Sequence, residues 1–181
     1  MKITQIQPRM LILEYRQEES DPDYGRCTWA RFTFNLDRYE LSISSECGNY
    51  GYKWSETPNT ESFLHLMTRI EEDYLLHKLN GYPEVLDYEE TKNAIYGSFV
   101  YTQEDREAFN DFFEKRESLY GEFDSEEALV EAITKEFPEL DSYNVWCCVR
   151  KDYTDNQKMI VKVFEDYIRP YIKNMLEEDS E

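Results

Sequence analysis

Four carboxylates, Glu18, Glu19, Asp21 and Asp23, crowd one short polar stretch, with Tyr24 beside them and Arg16 and Arg26 on either flank. Two or three carboxylates on a tight turn suffice to hold Mg²⁺ or Ca²⁺, and a bound Mg²⁺ can activate water against a phosphodiester. The same acids can instead accept hydrogen bonds from turn N–H groups, and this is how we read Asp21 and Asp23. We therefore assign no metal and no cofactor, with Mg²⁺ entering only should RNA be cut. Tyr24 is suited to stacking on a base or packing on a partner, and Arg16 and Arg26 to phosphate contacts. Arg9, Arg31 and Arg38 lie among Tyr15, Trp29 and Phe32. Sharing one sheet face, such residues could stack bases and meet phosphates. The competing role for the aromatics is core packing, which suits Phe32 better than Tyr24.

Elsewhere the chain is poor in reactive constellations. His65 and His77 stand twelve residues apart in one expected helix, too far to share a metal, and neither has a Cys or His at helical spacing. Cys27, Cys47, Cys147 and Cys148 form no CxxC pattern. They read as reduced, mostly buried thiols of a cytosolic protein, and a Cys27–Cys47 bond is conceivable if their strands pair. No GxSxG, P-loop or GxGxxG occurs, so catalytic residues stay unassigned.

The elements that must position these residues fall into two parts. Met10–Tyr15 is a short apolar run that reads as a strand buried on both faces or nearly so. From 27 to 36 the alternation sends Trp29, Arg31, Thr33 and Asn35 one way and Ala30, Phe32, Phe34 and Leu36 the other. Tyr39–Ser44 alternates again after a turn, and Tyr50–Trp54 supplies a fourth strand. The polar segment Gln17–Arg26, holding Asp21-Pro22-Asp23-Tyr24-Gly25, then becomes the long, projecting tip of the first hairpin.

Beyond residue 58 the spacing turns helical. Asn59 and Thr60 are candidate caps for a helix carrying Phe63 to Leu75 and ending near Gly81. A second helix follows Asp87, a third opens at Thr102, and a fourth at Ser125, with Phe123 and Leu129 spaced as a hydrophobic staple. Asn144–Val149 fits a buried strand or the start of a helix. The longest stripe runs from Met159 to Met175, with Pro170 expected to kink or interrupt it. The fold class is thus α+β. An N-terminal antiparallel β-meander over 1–58 packs against an acidic helical part over 59–181, in one compact domain.

Charge narrows the partners. The chain holds 39 acids and 20 bases, a net −19, and residues 104–141 alone have 14 acids against 4 bases. Such density repels nucleic acid phosphates and seeks basic protein surfaces, although it also serves solubility and helix dipoles. Glu104, Asp105, Glu107, Asp111 and Glu114 are the candidate docking surface. Tight binding to free nucleic acid is not expected. Fifteen Tyr and ten Phe set the chain apart from disordered acidic tails. No apolar run reaches the length of a membrane span, and the opening residues lack a signal peptide's apolar stretch.

One set of residues goes beyond generic chemistry: Asp21-Pro22-Asp23-Tyr24-Gly25, Trp29-Ala30-Arg31-Phe32, Glu46–Trp54 and Glu61-Ser62-Phe63-Leu64. In that order they resemble a family from phages and mobile elements of Firmicutes that includes type II-A anti-CRISPR inhibitors. The likeness spans the first third to half of the chain and carries no catalytic signature. It implies a protein of the bacterial cytoplasm that binds a type II-A RNA-guided nuclease and disturbs its guide RNA, by truncation or blocked loading, with a projecting hairpin involved. The remaining alternatives are guide-directed ribonuclease activity, an acidic phosphate mimic in the DNA-binding channel, and a phage accessory protein with no such role.

Overall fold

Alternation at 29–36 and 39–44 builds the sheet the sequence foreshadows. The computed structural model describes residues 3, 6–21, 24–55, 62–121 (120 in its backbone alone), 123 and 125–178. Strands β1 (Met10–Arg16), β2 (Trp29–Asn35), β3 (Glu40–Ser45) and β4 (Gly48–Lys53) form an antiparallel meander in the order β1-β2-β3-β4. Its third turn, between β3 and β4, is only Glu46-Cys47, because Ser45 is opposite Gly48. Gly48 sits at φ +128°, and a Cβ there would come within 2.8 Å of the Tyr50 hydroxyl. Only glycine fits that corner.

The chain forms two compact units. The sheet unit comprises Met1–Tyr82 and Thr154–Glu181, the second Pro83–Tyr153. In the sheet unit, Phe32, Phe34, Leu41 and Ile43 point to one face and are fully or almost fully buried. Helices α1 (Phe63–Arg69), α2 (Glu72–Asn80), α7 (Asp155–Val163) and α8 (Arg169–Glu178) complete this core, with Phe63, Met67, Leu75, Ile160, Phe164 and Ile172.

One departure from the sequence reading and one refinement of it lie here. The run from Phe63 to Leu75 is broken: Ile70 and Glu71 are extended, separating α1 from α2. The side chain of Ile70 is buried and its carbonyl accepts from the Arg169 guanidinium, so a long-range hydrogen bond replaces a helical one. The cap of α1 is Ser62, whereas Asn59 and Thr60 lie outside the described residues. Around Pro170 the expected interruption of the α-helix takes the form of a π-helical turn rather than a break in the chain's helical course. Phe164–Ile168 widens to a π-helical turn in which the Arg169 N–H reaches back to the Phe164 carbonyl. Proline removes one i→i−4 donor, and the extra residue in the turn absorbs that loss.

The second unit is built from α3 (Tyr88–Phe99), α4 (Gln103–Tyr120), α5 (Glu126–Glu136), the short α6 (Ser142–Trp146) and a two-residue pairing of β5 (Val85–Leu86) with β6 (Lys151–Asp152). Asp87, Thr102 and Ser125 cap α3, α4 and α5 as their sequence positions predict. The ambiguous stretch at Asn144 resolves to α6. Phe109, Phe113, Phe123, Leu129, Ile133 and Val145 make a separate core, in which the staple residues Phe123 and Leu129 both take part. Among the described residues, no helix is long and apolar enough to cross a membrane.

Candidate functional site

β1 is the first place where structure and sequence part. Its apolar run suggests burial on both faces, yet Met10, Ile12, Glu14 and Arg16 are exposed while Leu11, Leu13 and Tyr15 turn inward. The sheet is therefore covered on one face and open on the other. The open face continues through Trp29, Arg31 and Thr33 of β2, Ser42 and Ser44 of β3, and Asn49 and Lys53 of β4. Cross-strand register decides which of these side chains meet. Arg16 lies opposite Trp29, and Glu14 opposite Arg31. Gln17 N–H donates to the Thr28 carbonyl at 3.0 Å, which makes the neighbouring Arg16/Trp29 pair a non-hydrogen-bonded one, the closer of the two antiparallel geometries. Arg31 binds Glu14 at 2.6 and 2.9 Å, and Ser44 donates to Asn49 at 2.8 Å. A shallow recess of about 30 Å³ separates Glu14, Arg16, Trp29 and Arg31.

The aromatics named from sequence are thus divided by strand parity. Trp29 stays on the open face. Phe32 is wholly buried, and Tyr15 packs on Tyr167 with ring centroids 4.8 Å apart. Burial pushes the Tyr15 hydroxyl well above its ordinary pKa, so it remains a neutral core group. Trp29, Arg31 and Lys53 were recoverable from alternation alone, but which arginine meets which aromatic was not.

Above this face the tip is a built turn. Glu18 N–H donates to the Asp21 carboxylate at 2.8 Å, Asp21 N–H returns to the Glu18 carbonyl at 2.9 Å, and Tyr24 N–H reaches the Asp21 carbonyl at 3.1 Å. Gly25, at φ +90°, donates to the Gln17 side chain at 2.8 Å. Asp21 is accordingly a turn former. Asp23 lies outside the described residues, and among those described no group of three His, Cys, Asp or Glu could hold a metal. Glu18, Glu19, Tyr24 and Arg26 are exposed, and Arg16 is exposed at the base.

The returning limb of the tip is tied down. Thr28 gives both its N–H (2.7 Å) and its hydroxyl to the Glu46 carboxylate, and these bonds hold the Glu46 pKa below the usual carboxylate range. Beneath it, Cys27 and Cys47 are buried free thiols that interact with each other, and Cys47 donates to the Arg26 carbonyl at 3.4 Å. Burial, followed by the neighbouring thiol, pushes the Cys27 pKa up to about 12. Nothing in local sequence announces the Thr28–Glu46 clamp, since it joins two turns eighteen residues apart.

The acidic residues named from sequence lie in the other unit. Glu104, Glu107, Asp111 and Glu114 are exposed, and their spacing sets them along one face of α4. Asp105 serves its own helix instead. It closes the capping box, accepting from Thr102 N–H at 2.9 Å and Tyr101 N–H at 3.2 Å. Those bonds hold its carboxyl below the usual range. Both histidines are engaged locally. His65 Nδ1 lies 2.7 Å from the Ser62 hydroxyl, and His77 Nδ1 lies 2.8 Å from the Gly81 carbonyl.

Residues 1–174 match the model of a phage protein family, Phage_phiTE_072. The chain belongs to this phage family. No curated protein and no solved structure matches it. The family match covers the sheet unit's strands and the whole second unit, so both surfaces described above fall within it.

Proposed function

We propose that this phage-family protein is an inhibitor of a type II-A RNA-guided nuclease and acts on the guide RNA after binding the effector. The observation that carries the reading is the open sheet face, where Arg16 stands opposite Trp29 with Arg31 adjoining and the polar tip above. An indole face offers stacking to any base, and flanking guanidiniums meet phosphates, which is how sequence-tolerant single-strand binding is built. Membership of a phage family supports a role against host defence, and the resemblance of residues 21–64 to inhibitors of this class points to the effector. The net charge of −19 works against capture of free RNA, so the effector must supply most of the affinity and the sheet face only local contacts.

A second reading has its own observation. The four exposed carboxylates along α4 would suit a phosphate mimic that enters a basic DNA channel and leaves RNA untouched. One experiment separates the two. Effector and guide are mixed with wild type, with Arg16→Ala/Trp29→Ala, and with Glu104, Glu107, Asp111 and Glu114 changed to Lys, and guide length and complex formation are read on gels. The first reading expects the double variant to bind effector but to lose guide truncation or loading block by at least about tenfold, since stacking contributes roughly 1–3 kcal/mol per base. An intact guide effect in that variant sinks it. Loss of binding in the charge-reversed variant, mirrored by added salt, would favour the mimic. If the guide is cut, chelating Mg²⁺ distinguishes metal-dependent cleavage from acid–base cleavage.

A further inference from the structure

The free edge of β1 leads beyond that reading. Gln17 N–H donates to Thr28 and Leu36 N–H donates to Arg9, each at 3.0 Å, so the odd-numbered residues of β1 bond to β2. The even-numbered residues Met10, Ile12, Glu14 and Arg16 therefore turn their N–H and C=O groups outward. Among the described residues no strand pairs with them. Beneath this edge runs a groove of about 320 Å³ between Ile12, Leu13 and Tyr15 on one side and Tyr167, Ile168 and Tyr171 on the other. Around it apolar surface is left in water: Met10 is 45% exposed, Ile12 56%, Tyr167 41% and Tyr171 56%. Natural edges of this length are normally blunted by proline, by bulges, by charged side chains or by a covering element. β1 has no proline and no bulge in its register, and of its two charges, Glu14 and Arg16, the first is paired with Arg31 on β2.

We infer that two copies of the chain pair through this edge, β1 against β1 in antiparallel sense, joining their sheets into one. Full overlap of the seven-residue strand with its copy sets Leu13 against Leu13 of the second copy and Ile12 against Glu14, and it brings every outward N–H and C=O to a partner. The two-fold axis stands perpendicular to the sheet, so both helical layers stay on one side. Tyr167 and Tyr171 from each copy close over the seam there, and the two open faces merge on the other side.

Charge favours a second copy over a basic segment of another protein. Residues 1–60 hold nine acids and seven bases, whereas residues 61–181 hold thirty and thirteen. Glu14 is already neutralised by Arg31. The edge is thus among the least charged regions of an acidic molecule, where two copies meet with little repulsion and a cationic segment finds little to attract it. A seam of two seven-residue strands with two tyrosines from each copy is a small contact by the standard of specific interfaces. That size fits a reversible dimer rather than an obligate one.

Sedimentation of the full chain across the micromolar range tests this. Wild type is expected to shift from one chain to two as concentration rises. Ile12→Pro removes only an outward N–H and spares the ladder to β2, and Tyr171→Lys changes only the helical side of the seam. Both are expected to remain monomeric at concentrations where wild type is dimeric, with wild-type circular dichroism and melting temperature. Wild type that stays monomeric throughout, or a dimer unmoved by both variants, overturns the inference. Guide RNA assays on a monomeric variant leave the proposed function to be judged separately.

Discussion

The two units spread their charge and hydrogen bonds in different ways. The sheet unit has 20 acids and 13 bases, a balance of −7, and the second unit has 19 acids and 7 bases, a balance of −12 over a shorter length. In the second unit, order is largely local. Thr102 with Asp105 and Ser125 with Ala128 cap helices from within four residues, and acids fill the first turns of α3, α4 and α5 where the dipole favours them. In the sheet unit, distant residues meet: Glu14 with Arg31, Thr28 with Glu46, and Ile70 with Arg169 across ninety-nine positions. Repulsive charge can be tolerated on helices that stabilise themselves turn by turn. A face that must bring a tryptophan beside an arginine requires strand register, and there the acids are nearly balanced by bases.

Separate cores give the sharpest way to break this comparison. Phe32→Ala leaves a cavity at the centre of the sheet unit and should cost about 3–5 kcal/mol. Near-ultraviolet signals from Trp54 and the sheet should then melt early, while the helical signal of the second unit persists to its wild-type temperature. A single shared transition in the variant would mean the units stand or fall together.

A smaller effect is expected at the turn joining β3 and β4. Gly48→Ala places a methyl group against Tyr50 in a backbone conformation that other residues resist, a strain of about 1–3 kcal/mol. Chemical denaturation should show the loss, and because the clamped tip is anchored to Glu46 beside this turn, amide exchange at Thr28 should quicken with it. Unchanged exchange at Thr28 would mean that the clamp does not depend on the turn.

The smallest effect probes a polar cluster that does link distant residues of the second unit. Glu117 accepts from Lys92 at 2.7 Å and from the Tyr88 hydroxyl at 2.8 Å, and these bonds hold its pKa below the ordinary 4.5. A lowered carboxylate contributes stability above its unfolded pKa and loses it as pH falls through the lower folded value. Glu117→Gln should therefore cost under about 1 kcal/mol at neutral pH, since the group is partly exposed, with the difference fading below pH 4.5. Melting curves across that range check the sign. A difference that grows on acidification would contradict it.

Much of this molecule could be read from neighbouring residues. Alternation at 29–36 and 39–44 specified strands because side chains on a pleat face opposite ways, and Asp87, Thr102 and Ser125 announced helices because a short polar side chain satisfies an N–H three residues on. Asp21 as a turn former belongs to the same class. What adjacency does not encode, tertiary structure decided. Met10 and Ile12 look like core residues until β1 proves to be an edge with one open face. Phe63–Leu75 looks like one helix until Arg169 claims the Ile70 carbonyl, and only the structure shows that the interruption expected around Pro170 is a π-helical turn that absorbs its missing donor. Strand order and register place Arg16 beside Trp29, and neither residue carries a local mark of the other. Short-range hydrogen bonds and periodicity are written in the order of residues, but which surface stays open, and which side chains meet on it, depends on contacts between segments far apart in the chain.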